Sequence, residues 1–223
     1  MKIKILRQHD PDSEPYWESF DYEGTEVISV AGLLDHLNYN DDIINDVGEK
    51  TTRIGWDCSC MQGMCGACAM VINERPSLAC ETFLKNLKSR EITIRPLRKF
   101  PVIHDLIVDR SLIQENLKIT DIYIGEYNPK KDEDHRHQYE VAKCLKCGLC
   151  LEVCPNYSDG KSFYGAMYAN DCYLVYARNR EKSVDMKKTY SDHFGKSCSK
   201  SLSCMDVCPM NIPVIASMAK LNR

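Results

Sequence analysis

Between Met1 and Arg7 apolar and basic residues alternate, with Ile3 and Ile5 in one phase and Lys2 and Lys4 in the other. A period of two is the mark of a half-buried strand. Tyr16 to Tyr22 alternates again with Phe20 in phase, and the two stretches together predict a hairpin. From Val27 to Asn40 the spacing changes: Val30, Leu33, Leu34 and Leu37 fall at helical intervals before Asn, Asp and Gly break the pattern, which predicts a short crossover helix. AMVI at 69–72, the turn NERP at 73–76, SLAC at 77–80 and EITIRPL at 91–97 supply further strand-like pieces. Residues 1–100 thus read as a small mixed sheet with one helix.

Beyond Phe100, Pro101 opens a segment in which Val102, Leu106, Ile107, Leu112 and Ile113 recur at helical spacing, and no strand signal returns. The charged stretch EYNPKKDEDHRHQ at 126–138 reads as a solvated loop. His135 and His137 lie in it, and metal binding by that H-x-H is the less simple alternative. Ser162 to Arg180 predicts a tyrosine-rich helix, and Ile212 to Leu221 a final short one after Pro209. The expected architecture is α+β, with domains at 1–100 and 101–223.

With 43% hydrophobic and 27% charged residues, a net charge of -3 and a pI near 6.1, the 223-residue chain has an ordinary globular balance and no basic bias toward nucleic acid. The opening MKIKILRQHDPD lacks the apolar run of a secretory signal, so the expectation is a chain that is not secreted. Uncharged apolar runs such as IPVIASMA at 212–219 cover about two helical turns, against the roughly 20 residues a membrane helix needs. Membrane contact is therefore expected through a partner. Thirteen cysteines stand out. A chain long enough to build its own core needs no disulfide staples, and an odd number cannot pair off, so metal ligation is the better reading.

The first cysteine group is CMQGMCGAC, with Cys60, Cys65 and Cys68, followed by Cys80. The spacing C-x4-C-x2-C is that of a plant-type 2Fe-2S loop. Such a loop must wrap a bridged iron pair and aim N–H groups at sulfur, which Gly63 and Gly66 permit. Structural zinc, the alternative, more often uses two C-x2-C knuckles. The second group, CLKCGLCLEVCP, places Cys144, Cys147, Cys150 and Cys154 before Pro155 in the bacterial C-x2-C-x2-C-x3-C-P run, whose fourth cysteine serves a second cluster. The partner run CSKSLSCMDVCP supplies Cys198, Cys204 and Cys208, with Ser201 at the second position. By that crossing rule Cys208 joins Cys144, Cys147 and Cys150 on a 4Fe-4S cluster, leaving Cys154, Cys198 and Cys204. Three thiolates suit a 3Fe-4S cluster; a 4Fe-4S cluster with Ser201 oxygen or water on its fourth iron is the alternative. Cys58 and Cys172 are left over, the first as a packed or loose thiol and the second as a small core residue. No G-x-G-x-x-G, P-loop or Cys/His nucleophile pair is present, so no catalytic residue is expected on this chain.

A 2Fe-2S loop followed by paired cysteine–proline runs with one cysteine missing resembles the iron–sulfur subunit of succinate dehydrogenase and fumarate reductase. The resemblance extends to the spacing to Cys80 and to IRPLRKFPVIHDLIVDRS at 94–111. It implies a β-grasp ferredoxin domain followed by an α-helical ferredoxin domain. It also implies an electron-transfer subunit of a succinate:quinone or fumarate:quinone oxidoreductase, carrying 2Fe-2S, 4Fe-4S and 3Fe-4S clusters on the cysteines named above. The partners would be a flavoprotein holding FAD and the dicarboxylate site, and a membrane cytochrome b holding heme, which exchanges electrons with quinone. The chain would sit peripherally on the cytoplasmic face of the membrane.

Many relatives place a tryptophan five residues after the last cysteine of the first run, and a histidine just after the first cysteine of the second, beside quinone. Here Asp159 and Ser199 stand there. EKTTRIGWD at 49–57, CGACAMVIN at 65–73 and CLEVCPN at 150–156 resemble the branch whose partner is a diheme cytochrome b using menaquinone. Two other functions fit the motifs: the iron–sulfur subunit of a soluble thiol-driven fumarate reductase or related disulfide reductase, and a free-standing ferredoxin.

Overall fold

The computed structural model describes residues 1–130 and 134–223. The chain divides into two compact units, Met1–Asp109 and Arg110–Arg223.

In the first unit the alternating N-terminal stretches form the expected hairpin. β1 (Lys2–Arg7) runs antiparallel to β2 (Tyr16–Asp21), with Lys2 opposite Asp21 and Arg7 opposite Tyr16. Ile3 and Ile5 are fully buried and Phe20 nearly so. Ser29 starts α1 (Val30–Leu37) by accepting a hydrogen bond from Gly32 N at 3.1 Å. The apolar stripe then buries Val30, Ala31, Leu33 and Leu34 completely. β3 (Ile43–Ile44) and β4 (Lys50–Thr51) form a short ribbon. β5 (Ala69–Ile72) and β6 (Arg75–Leu78) form a second hairpin, turned by Asn73 and Glu74 at φ 46° and 65°. Two successive left-handed residues give a turn whose twist matches the strands. β7 (Glu91–Arg95) lies between β1, to which it is parallel, and β5, to which it is antiparallel, giving the strand order β2-β1-β7-β5-β6.

Residues 101–109 differ from the helical expectation. β8 (Val102–His104) and β9 (Ile107–Val108) pair antiparallel around Asp105, at φ 47°. Asp105 is wholly buried and accepts from Gln8 N at 3.0 Å and Gly55 N at 2.8 Å, while its Oδ1 lies 3.0 Å from Arg7 Nε. A buried carboxylate must be paired and hydrogen-bonded, and here its partners come from the end of β1 and the segment after β4. The first unit accordingly continues to Asp109 instead of ending at residue 100.

The second unit is helical: α2 (Ser111–Ile119), α3 (His135–Ala142), α4 (Leu149–Glu152), α5 (Ala166–Arg178), α6 (Ser183–Tyr190), α7 (Ser203–Asp206) and α8 (Val214–Leu221). The expected tyrosine-rich helix is α5, buried at nearly every position and packed by α3, α6 and α8. α6, which runs on into a π turn at Ser191–Gly195, has no counterpart in the sequence reading.

The loop expected at 126–138 is also corrected. Residues 131–133 lie outside the described residues, but Asp134 caps α3 by accepting from Arg136 N at 3.0 Å and His137 N at 3.2 Å. His137 is 6% exposed. Its Nε2 lies 2.9 Å from Ser217 Oγ of α8, whose hydroxyl donates to Asn170 Oδ1 of α5 at 2.8 Å. The imidazole is thus a buried link among three helices, and His135, two residues earlier at the start of α3, is exposed.

Candidate metal centres

The first group is built on the β5–β6 hairpin. Cys68 directly precedes β5, and Cys80 sits in the 3₁₀ turn Ala79–Glu81 that follows β6. Because Ala69 pairs with Leu78, and Ala79 N donates to Cys68 O at 3.0 Å, two cysteines distant in sequence meet with their Sγ atoms 3.4 Å apart. Cys60 and Cys65 come from the loop before β5, where Met61, Gly63 and Gly66 take φ of 55°, 72° and 76°. That left-handed winding turns amides inward. Met64 N reaches Cys60 Sγ at 3.2 Å, Gly63 N reaches Cys80 Sγ at 3.2 Å, and Ala67 N reaches Cys65 Sγ at 3.4 Å. A side chain at Gly63 would be strained at this φ and would meet Glu81.

The four thiols have unlike surroundings. Backbone N–H groups of Gln62 and Met64 bring Cys60 down to about 7, whereas burial, helped by Cys68, pushes Cys80 up to about 12. Burial, and then the Asp35 charge, pushes the Cys58 thiol up, with Cys68 and Cys65 among its electrostatic neighbours. Met61 and Met64 of the loop are exposed.

In the second unit Cys144, Cys147, Cys150 and Cys208 line one cavity of about 30 Å³, together with Leu145, Lys146 and Met167. Lys146 at φ 54° and Gly148 at φ 88° wind the first run, and Cys150 falls in α4. Arg110 Nη1 fastens the run by donating to Cys147 O at 3.0 Å, and Ile212 N donates to Cys208 Sγ at 3.5 Å. Burial pushes Cys147 up to about 11 and Cys150 well above the usual thiol value. A thiolate in such surroundings requires a compensating cation.

Cys154, Cys198 and Cys204 make a third group. Cys204 is raised to about 11 by burial and then by the charges of Cys154 and Cys198. Lys200 and Leu202, both at φ 59°, wind this run as Lys146 and Gly148 wind the other. Asn156 Oδ1 accepts from Ser199 N at 3.3 Å and Ser199 Oγ at 2.6 Å, tying the residues just after Cys154 and Cys198 to each other. Ser201 is exposed, with Ser203 Oγ 3.4 Å from its hydroxyl.

The eleven cysteines singled out by spacing therefore fall into groups of four, four and three. All-thiol donor sets with backbone N–H groups aimed at sulfur suit iron–sulfur clusters. Among the described residues, no three His, Cys, Asp or Glu side chains converge as they do around a single metal ion; in a bridged cluster no iron takes more than two of the protein's thiolates. Cys172 is buried in α5 as expected. Sequence reasoning missed Arg110, Asn156, Lys146 and Asp171. Only Lys146, a charge inside the C-x2-C spacing, carried a local signal.

Residues 2–115 match the family described as "2Fe-2S iron-sulfur cluster binding domain", and residues 140–212 match "4Fe-4S dicluster domain". The chain is 35% identical, over its whole length and 91% of the relative's, to the succinate dehydrogenase iron–sulfur subunit of Bacillus subtilis. It is 30% identical to the fumarate reductase iron–sulfur subunit of Haemophilus influenzae, covering 95% of this chain and 88% of that one. A chain of the Mycobacterium smegmatis Sdh1 complex shares the fold, with a TM-score of 0.76 at 24% identity over 99% of this chain and 93% of that one. Among the described residues no helix is long and apolar enough to cross a membrane. With one matched domain for each kind of cysteine group and relatives alike along the whole length, the chain belongs to the iron–sulfur subunits of succinate dehydrogenase and fumarate reductase, electron-transfer components of oxidoreductases whose substrate site is on a flavoprotein.

Proposed function

We propose that this chain holds three clusters in series: 2Fe-2S on Cys60, Cys65, Cys68 and Cys80, 4Fe-4S on Cys144, Cys147, Cys150 and Cys208, and 3Fe-4S on Cys154, Cys198 and Cys204. The observation that carries the reading is the sorting of seven thiols in the second unit into four around one cavity and three around Cys204. Clusters bound there would each accept and release single electrons. The chain's own residues hold the thiolates in place, direct N–H groups of Gly63, Met64 and Ala67 at sulfur, and wall the second group from water.

The relay runs from the flavoprotein, beside the first cluster, to a membrane cytochrome b beside the third, with the chain peripheral on the cytoplasmic face. The cytochrome is of the diheme kind and menaquinone reacts within it. Two features support this. The stretches 49–57, 65–73 and 150–156 carry the wording of that branch. Ser199, where relatives have a quinone-facing histidine, commits its hydroxyl to Asn156, and Asp159 accepts from Lys161 N at 3.0 Å.

Iron analysis of the purified complex should give about nine irons per chain, and electron paramagnetic resonance during stepwise reduction should resolve three centres. Two centres, or stoichiometric zinc, would refute the cluster assignment. Heme analysis should give two hemes for each copy of this chain; one heme or none would refute the diheme partner.

A further inference from the structure

We propose that the ion pair Lys146–Asp171 sets the reduction potential of the middle cluster, an inference that rests on the ligand assignment above. Lys146 lies between Cys144 and Cys147, on a backbone at φ 54°. Its side chain crosses to α5, where the ammonium donates to both carboxylate oxygens of Asp171. The two side chains are only 25% and 11% exposed. One side of the pair forms part of a groove whose other walls are Leu117, Ile122, Tyr123, Ile124, Leu174 and Val175. The other side faces the cluster thiols: Cys144 and Cys150 are neighbours of the ammonium, and Cys144 meets the Lys146 charge more strongly than the Asp171 charge.

Each electron received from a neighbouring cluster adds one negative charge to an already anionic group in poorly screened surroundings. A fixed cation at the rim favours that reduced form, and a carboxylate opposes it. At Cys144 the cation acts more strongly than the carboxylate, so the pair does not cancel and its net action is to raise the potential. Asp171 also has a positioning role, since it holds the ammonium in one place. A buried pair of this kind contributes little net stability compared with apolar side chains of the same size. The field on the adjacent cluster is what the pair supplies and an apolar pair could not.

The test is a potentiometric titration, followed by electron paramagnetic resonance, of the intact cluster-loaded complex. Lys146→Met should shift the middle cluster's reduction equilibrium by about tenfold toward the oxidised form, about 59 mV for one electron, with the first and third clusters unmoved. Asp171→Asn should shift it the other way and by less. Because a lone buried carboxylate could block cluster insertion, Lys146→Met/Asp171→Leu provides a second route, expected to keep full iron content and a midpoint below that of the natural chain. Unchanged midpoints at full iron content, or equal shifts in all three clusters, would overturn the proposal. Cys208→Ser separates the two readings: if it leaves the middle cluster's signal intact and removes another's, the ligand assignment is what fails.

Discussion

Replacing Arg7 by methionine isolates the interaction that fixes the approach to the first cysteine loop. The guanidinium is wholly buried. Nη1 lies 2.5 Å from Glu18 Oε2, Nε lies 3.0 Å from Asp105 Oδ1, and Nη2 donates to Thr52 Oγ1 at 3.0 Å and Arg53 O at 3.1 Å. Methionine fills much of the same space but leaves Asp105, fully buried, and Glu18, 9% exposed, without their cation. Removing one partner of such a buried network costs about 3–5 kcal/mol. With a urea dependence of roughly 2–3 kcal/mol per molar, the midpoint should fall by about 1–2 M. Urea titration of the full-length, cluster-loaded chain, followed by the visible circular dichroism of the first cluster, measures it. Arg7→Lys keeps the charge without the fork and should recover part of the loss. Adding Asp105→Asn to Arg7→Met should also recover part, because one uncompensated charge disappears. A midpoint within ~0.3 M of the natural chain, inside the scatter of such titrations, would refute the reasoning, as would a lysine variant as unstable as the methionine one.

Three further outcomes are expected. Ser201→Cys supplies the ligand absent from the third group and should convert its three-iron signal to a four-iron one; a natural centre already holding four irons would contradict this. Asn156→Ala removes both hydrogen bonds to Ser199 and should lower occupancy of the third cluster while the other two stay loaded, as seen by iron content and paramagnetic resonance; equal occupancy of all three would show that the Cys-Pro arms need no tie. The middle group, deepest in apolar surroundings, should be the last cluster to accept an electron on stepwise reduction, and its reduction before the first would overturn that order.

The grouping of the cysteines was legible because they recur at short, fixed spacings along the chain. The strand pairs at 2–21 and 69–78 were legible too, since each has an alternating face and a compatible turn. The segment 101–109 misled because Val102, Leu106 and Ile107 share one helical face by coincidence. What decides its structure is Asp105, whose partners Arg7, Gln8 and Gly55 lie far away in sequence. α3 was hidden for a related reason. Its charged flanks suggest a solvated loop, but His137 and Val141, one turn apart, are both buried. The Lys146–Asp171 pair joins residues whose contact depends on where α5 runs, which no local pattern encodes.

The two units present sulfur by different means, and the difference follows from their ligand spacing. In the first, a hairpin register brings Cys68 and Cys80 together, so the sheet supplies half of the cysteine group and only Cys60 and Cys65 depend on a wound loop. That loop stays near solvent, where backbone N–H groups, chiefly those of Gln62 and Met64, bring Cys60 toward the thiolate. In the second, both runs consist of single left-handed residues and one-turn helices, too short to hold a shape unaided. Their geometry comes from the packing of α4 against α5 and α7 and from side chains reaching across, Arg110 to Cys147 O and Asn156 to Ser199. Thiols buried in that way resist ionisation, as Cys147 and Cys150 do. The cavity between the thiols of the second unit is thus walled by residues from both cysteine runs and from α5. In the first unit the hairpin itself fixes two of the four thiols, and one wound loop presents the other two.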